Sequence, residues 1–443
     1  KTAGPIQFHF TVLLLLFLLF SCAKGKDDTE GEDRSTPYVK SISPDNAATG
    51  VPTSNTITIT FSKAIPPSQV TVDTDWQCSK NIQIAFDSSY SSCLPLSSNG
   101  GDNASKVFIL TPNTKGEKIP SGTKFWIKIS SSIKDYYDKE MDADKTSSFT
   151  TETRCTSGCS WSQVTSVGNL TARSGHSGLV FDKKMWLFGG TTGSSYFKET
   201  FNSDNGAWTS NTSPGWSGRE NHVSLLFKGK MWVIGGGNST SSYGDVWSSS
   251  TGLAWNEQTL TNGFSARQGH AGVVFKNKIW IMGGQNGNTY LNDVYSSEDG
   301  ATWTQESNSS SWSGRYGHAT VVYDNKIWVM GGNNSSGDSK EVWYSTDGIN
   351  WTQQTDSIVT WDAMKDFGAQ VFDGKIWILG GNPRTNKFYT FDGTTWSGEQ
   401  DASWSVRSSL VSFRFDNYLW VVGGDNGTGG SSHMNDVWKY GKP

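Results

Sequence analysis

Four times the chain sets an arginine three residues before a histidine: Arg173 and His176, Arg219 and His222, Arg267 and His270, Arg315 and His318. Two further segments keep the frame with Met364 and Phe367 and with Arg407 and Leu410. A guanidinium presents a planar fork that suits a carboxylate, and an imidazole near neutrality can move a proton or hold a metal. A second set of side chains restricts both ideas. Glu199, Asp245, Asp293, Glu341, Asn386 and Asp436 follow at a recurring distance, and the segment that has Met364 for arginine is also the one that has Asn386 for an acid. Both charges vanish together. The expected structural ion pairs are therefore Arg173–Glu199, Arg219–Asp245, Arg267–Asp293, Arg315–Glu341 and Arg407–Asp436, because one such charge buried alone is costly. The histidine place accepts Phe367 and Leu410, which marks it as a packing position and predicts no metal site there.

Three residues before each member of the arginine frame stand Leu170, Trp216, Phe264, Trp312, Trp361 and Trp404. A ring of aromatics with Arg219, Arg267 and Arg315 nearby can stack a sugar or grip an acidic peptide. On that reading Trp216, Phe264, Trp312, Trp361 and Trp404 form a candidate ligand-binding face. The same side chains can instead fill gaps between packed sheets, as most large aromatics do. Both readings are open at the level of sequence.

The elements that carry these residues are periodic. Gly pairs fall at 189/190, 235/236, 283/284, 331/332, 380/381 and 423/424, in steps of 46, 48, 48, 49 and 43 residues. Trp186, Trp232, Trp280, Trp328, Trp377 and Trp420 each precede a pair by three. A second tryptophan closes most units: Trp208, Trp255, Trp303, Trp351 and Trp396. Each unit divides into four short strands, as in ATVVY, KIWVMG, EVWYS and NWTQQ of the fourth. One four-stranded sheet leaves a large face wet, whereas six packed around an axis bury nearly everything. No closing tryptophan follows the last Gly pair, while Trp161 in WSQVT precedes the first. The two ends are therefore expected to complete one sheet together.

These motifs (R-x-G-H, the Gly pair, D-V-W or D-V-Y, the closing Trp) resemble the kelch family over about residues 160–441. The resemblance implies a six-bladed β-propeller over 161–443, closed by pairing of N- and C-terminal strands, and loops that bind proteins. It also admits a carbohydrate-active enzyme of the sialic-acid epimerase or mutarotase type. It argues against a galactose oxidase, whose copper site needs a Cys–Tyr crosslink, because every Cys here lies outside the repeats. The sequence offers no nucleophile–base arrangement and no paired carboxylates, so binding rather than catalysis is expected. No catalytic residue and no cofactor are assigned.

Upstream, residues 37–153 alternate apolar and polar residues in TITITF, KVFILTP and KFWIKIS, the pattern of a β-sandwich. With VKSISPDNAATGVPTSNTITITFSKAI and SSFTTET they resemble a bacterial Ig-like domain, which implies spacing or adhesion. Cys78, Cys93, Cys155 and Cys159 suit an oxidising compartment, and proximity favours Cys78–Cys93 and Cys155–Cys159 among three connectivities. Residues 154–160 form a Cys-containing linker.

The first 22 residues read as an export leader: TVLLLLFLLF is too short for a mature membrane span and has the length of a signal-peptide core. LFSC (19–22) resembles a bacterial lipobox of the looser spirochaete kind, which makes Cys22 the lipidated residue and the membrane a partner through that lipid. Residues 23–36 carry charge and no large apolar group, a flexible tether. Net charge is −4, without the basic footprint of a nucleic-acid binder. The expected protein is an all-β, monomeric cell-envelope lipoprotein, most naturally of the outer membrane, with a protein or glycan ligand.

Overall fold

Strand formation follows local pattern. Each repeat opens with five residues ending in an aromatic, such as Ala271–Phe275, then turns through two left-handed residues, Lys276 and Asn277, into Lys278–Met282. Such tight two-residue turns match the twist of the paired strands. The computed structural model describes residues 35–442 except 75–77, 87, 89, 91–92, 100–104, 113–118, 165–166, 212–213, 308–309, 355–360, 398 and 428–431. Cys22, the leader and the tether up to residue 34 lie outside the described residues.

Pro37–Pro443 form one compact unit. Within it, six four-stranded antiparallel sheets succeed one another. Their inner strands are Ser177–Phe181, Val223–Phe227, Ala271–Phe275, Ala319–Tyr323, Gly368–Phe372 and Val411–Phe415. Each inner strand neighbours the next, and the sixth neighbours the first, so the ring is complete. The sixth blade takes its outer strand from the other end of the repeat region: Ser160–Val164 pairs antiparallel with His433–Gly441, with Trp161 opposite Tyr440. Trp161 then occupies the place of a closing tryptophan and meets Trp404 edge-on at 5.5 Å.

Neighbouring blades interlock through glycine. The indole of Trp232 lies so close to Gly300 of the next blade that a Cβ there would sit 2.1 Å from it, and Trp186 and Trp280 treat Gly252 and Gly348 alike. Each of the six indoles before the Gly pairs also donates to the carbonyl five residues upstream, as Trp280 does to Phe275 at 2.8 Å. The tryptophan is thus fixed in its own blade and packed into the next.

Residues 37–153 fold as a sandwich of two four-stranded sheets. Ile57–Phe61 is central in one and Lys124–Ile129 in the other, and Ile59, Phe108, Phe125 and Ile127 meet between them, fully buried. Cys78 is bonded to Cys93 and Cys155 to Cys159. The sandwich is clamped to the propeller: the Asp373 carboxylate accepts from the backbone N–H groups of Arg154 and Cys155, both at 2.8 Å. Gly122 abuts the Asp373 backbone so tightly that a Cβ would lie 2.4 Å from its carbonyl carbon.

Because the ring is sealed by a strand remote in sequence, removal of 160–164 is expected to destabilise all six blades in one cooperative transition. Calorimetry checks this; a melting profile in which five blades keep their transition would contradict it.

Candidate functional site at the axial mouth

The arginine frame lies at the end of the propeller where chains enter the inner strands. Arg173, Arg219, Arg267, Arg315 and Arg407 are all at most 1% exposed. Each donates from Nη1 to the carbonyl of the first glycine of its own blade's pair, at 2.7–3.0 Å. Arg219, Arg267 and Arg407 also grip Asp245, Asp293 and Asp436 with two hydrogen bonds each, and Arg315 binds Glu341. All four are charge-assisted, and the three aspartate contacts are bidentate contacts of the strong kind.

The first blade departs from the expected pairing. Arg173 lies against the rings of Phe197 and Phe201, with its guanidinium carbon 4.3 and 4.7 Å from their centroids, and Glu199 receives the Lys198 N–H instead of the guanidinium. Burial lowers the Arg173 pKa to about 10, and the Glu199 charge offsets only part of that. Aromatic faces here stand in for the carboxylate.

The histidines are interior. His176, His222, His270 and His318 are 5–6% exposed. Burial first, and the neighbouring guanidinium second, hold His176, His222 and His318 neutral with pKa values pushed down to about 3, and His270 well below its ordinary value. Their nitrogens find no well-formed hydrogen-bond partner among the described residues. The rings pack instead on glycine: a Cβ on Gly189, Gly235 or Gly283 would lie 2.8–2.9 Å from the imidazole of His222, His270 or His318 in the next blade. Phe367 and Leu410 meet Gly331 and Gly380 in the same way. Among the described residues no cluster of three His, Cys, Asp or Glu is placed to hold a metal ion.

The aromatic face is corrected by burial. Trp216, Trp312, Trp361 and Trp404 are 1–2% exposed and Phe264 is 6% exposed, so no ring face is open to a sugar. Each packs on the closing tryptophan of its own blade: Trp216 on Trp255, Phe264 on Trp303, Trp312 on Trp351, Trp361 on Trp396. Arg219, Arg267 and Arg315, proposed beside them as ligand contacts, are committed to carboxylates and glycine carbonyls. The loops do share one end of the propeller, but the aromatics point into it.

What the sequence did not single out is the pair of residues between each arginine and histidine position. The second of the pair forms a closed ring of peptide hydrogen bonds. Gly175 N–H donates to Ser409, Ser409 to Asp366, Asp366 to Gly317, Gly317 to Gly269, Gly269 to Asn221 and Asn221 back to Gly175, all at 2.7–3.0 Å. All six residues are left-handed, with φ between 52° and 64°. The first of the pair is Ser174, Glu220, Gln268, Tyr316, Lys365 or Ser408. Each is held by reciprocal backbone hydrogen bonds to the residue after the Gly pair, as Gln268 is to Gln285. Six identical backbones therefore carry six side chains around the axis.

Two carboxylates gather there. The Glu220 carboxylate lies over Gly175 and that of Asp366 over Gly317, where a Cβ would be 2.8 and 2.4 Å from their oxygens. Burial pushes Glu220 up to about 7, reinforced by the charge of Asp366. Burial pushes Asp366 up to about 6, against the pull of Lys365 and with the repulsion of Asp338. Lys365 Nζ binds the Tyr316 hydroxyl, and Tyr316 stacks on Tyr290 at 5.5 Å. Below the peptide ring lies a cavity of about 170 Å³ walled by the histidines, Phe367 and Leu410. The signal for this site was present in the sequence as a position that differs from blade to blade inside an otherwise recurring frame.

Two outcomes follow. Unfolding at pH 5 takes up a proton at each buried histidine, because the unfolded imidazole titrates near 6.5 and the folded one far lower. The contribution of the histidines to stability is complete above about 6.5 and falls as pH drops. His270→Phe, which copies Phe367, should reduce proton uptake on unfolding at pH 5 by about one proton, measured as the pH slope of stability. Trp312→Ala should cost about 3–5 kcal/mol in denaturant unfolding, as for a fully buried aromatic.

Residues 249–397 match the family described as KLHDC2/KLHL20/DRC7 Kelch-repeats domain, and residues 33–151 match the family described as Bacterial Ig-like domain. No curated protein matches the chain. Among solved structures, one titled "Structure of YjhT" is similar with a TM-score of 0.51 and 17% identity, covering 61% of this chain and 96% of that one. At that identity the likeness speaks to the fold alone. Taken with the six sheets, the sandwich and their motifs, these matches identify a bacterial Ig-like domain followed by a kelch-repeat propeller.

Proposed function

We propose that the chain is an exported, lipid-anchored binding module of the bacterial cell envelope, most naturally the outer membrane, whose protein or glycan ligand docks at the axial mouth of the propeller. The leader with Cys22 and the two disulfides support export, and the Ig-like domain supports a spacing role. One observation carries the binding role. Ser174, Glu220, Gln268, Tyr316, Lys365 and Ser408 share one backbone geometry and differ in chemistry, whereas the Gly pair and the tryptophan of each blade, and the arginine of five, are fixed by packing. Side chains that the scaffold does not prescribe are the ones free to be shaped by a ligand. Glu220, Gln268, Tyr316, Lys365 and Asp366 together offer donors, acceptors and both signs of charge, which suits hydroxyl-rich or polar peptide ligands.

A second reading, a carbohydrate-active enzyme of the sialic-acid mutarotase type, is favoured by the same two carboxylates. Groups with pKa values near 6 and 7 are suited to exchange protons at neutral pH.

A glycan array and a mutarotation assay on the full chain test the two readings, with Glu220→Gln and Asp366→Asn as paired variants. Binding that is lost in both, with no turnover, supports the module. Turnover lost in both supports the enzyme. Ligand binding or turnover unaffected by either substitution removes the mouth as the site. Stability provides an internal check. The folded Glu220 pKa is above the unfolded value, so the protonated form is favoured by folding and stability is lost as pH rises through about 7. Glu220→Gln should match the parent near pH 4 and exceed it by about 1–3 kcal/mol at pH 8.

A further inference from the structure

The two carboxylates at the axial mouth lack donors. Among the described residues, neither Glu220 nor Asp366 accepts a hydrogen bond. They reach onto the peptide ring from blades two and five, which stand opposite one another, and Glu220 feels the charge of Asp366. Asn221 Oδ1 shares the space over Gly175 with Glu220, 3.0 Å from where a Cβ would stand. Lys365 is the neighbour of Asp366 in the chain, but its Nζ is bound to the Tyr316 hydroxyl. The propeller residues outside the described set, 165–166, 212–213, 308–309, 355–360, 398 and 428–431, include no lysine, arginine or histidine, so none of them supplies the missing positive charge.

A second observation comes from beneath the ring. His176, His222, His270 and His318 are buried and line one chamber with Asp366 and Asn221. Each neutral imidazole turns one nitrogen toward a carbonyl of the preceding blade, that of Val422, Phe188, Ile234 or Met282. A neutral imidazole with one N–H so placed keeps a lone pair on its other nitrogen, and that nitrogen has no partner among the described residues. Mouth and chamber are therefore rich in acceptors and short of donors.

A compact cation with several N–H groups fills that need. Among the described residues no three ligating side chains converge as a metal ion requires. A guanidinium holds its donors in one rigid plane, whereas an ammonium has three rotatable donors on a slim stem, which suits acceptors arranged around an axis. Resting on the reading that the mouth is the ligand site, we propose that it takes a primary ammonium on a flexible alkyl stem, as a lysine side chain of a polypeptide presents it. The three N–H groups engage Glu220, Asp366 and Asn221 Oδ1, and the stem passes the half-buried, stacked pair Tyr290 and Tyr316. The carboxylates are half-buried on the floor of the mouth, which favours a stem over an amino sugar, whose nitrogen is bonded to the sugar ring itself.

The test uses the folded full chain and the capped peptide acetyl-Gly-Gly-Lys-Gly-Gly-amide, whose one charge is the side-chain ammonium, titrated by calorimetry. Saturable one-to-one binding with a Kd of about 1 mM or tighter is expected. Acetylation of the lysine nitrogen should weaken it by about tenfold or more, and so should trimethylation, which keeps the charge but removes all three donors. Glu220→Gln and Asp366→Asn should each weaken it by about tenfold, while Lys365→Met, which removes a competing internal cation, should strengthen it by about threefold. The charged and titratable groups facing the pair are Lys365, Asp338, Tyr316 and the four histidines. The histidines stay neutral and Lys365 stays charged at pH 5–8, so ionisation of Glu220 and Asp366, raised to about 7 and about 6, should tighten binding by about tenfold from pH 5 to pH 8. An anionic ligand would show the opposite slope.

No saturable binding at about 10 mM peptide, equal binding of the acetylated or trimethylated peptide, indifference to both carboxylate substitutions, or binding of glucosamine oligomers in place of the peptide overturns the proposal. A neutral or anionic glycan whose binding is lost in Glu220→Gln and Asp366→Asn would overturn this inference and leave the mouth as the ligand site. Ligands that all ignore both substitutions would remove the two readings together.

Discussion

Six peptide groups bonded head to tail around the axis set the geometry on which the propeller depends. The ring from Gly175 through Asn221, Gly269, Gly317, Asp366 and Ser409 closes only if every blade presents a left-handed residue at the same height and angle. That conformation is natural for glycine, tolerable for Asn and Asp, and strained for Ser409. A second circle reinforces it. The N–H of the second glycine in each pair donates to the carbonyl at the arginine position of the next blade, from Gly190 to Arg219 and finally from Gly424 back to Arg173. Both circles run through the seam between the sixth and first blades without a break.

The charged residues follow from this constraint. An arginine backbone that must accept from the previous blade puts its side chain in the interior, where an isolated guanidinium is costly. Four blades solve this with a carboxylate and a glycine carbonyl, the first with aromatic faces, and the fifth by having Met364. The histidines solve a packing problem instead. A flat neutral ring fits the space that two glycines leave between blades, and Phe367 or Leu410 fits it as well.

Much of the fold was legible because the chain contains six copies of one unit. Counting closing tryptophans pointed to Trp161 as the missing member, and the joint loss at Met364 and Asn386 pointed to ion pairs. The sequence left the aromatic ring open between binding and packing because loop position says nothing about burial: Trp312 and its equivalents leave the loop and turn inward onto the closing tryptophans. Arg173 escaped the rule since Phe197 and Phe201, the latter in the aromatic position of the D-V-W frame, sandwich its guanidinium, a contact that the presence of Glu199 in the acid position gives no hint of. Glu220 and Asp366 belong to no repeat-wide frame, and their proximity depends on a ring closure that brings blades two and five together at the axis. The junction with the sandwich was invisible, because Asp373 meets Arg154 across 219 residues with no sequence signature.

The strand Ser160–Val164 is both the seal of the ring and the point at which the chain enters from the sandwich. Mechanical tension arriving along the chain would peel that strand first if nothing intervened. The backbone of Arg154 and Cys155 is fastened to Asp373 in blade five just ahead of it, and a covalent loop lies between the two. Tension is thereby shunted into the body of an intact blade, and the seam is shielded from traction.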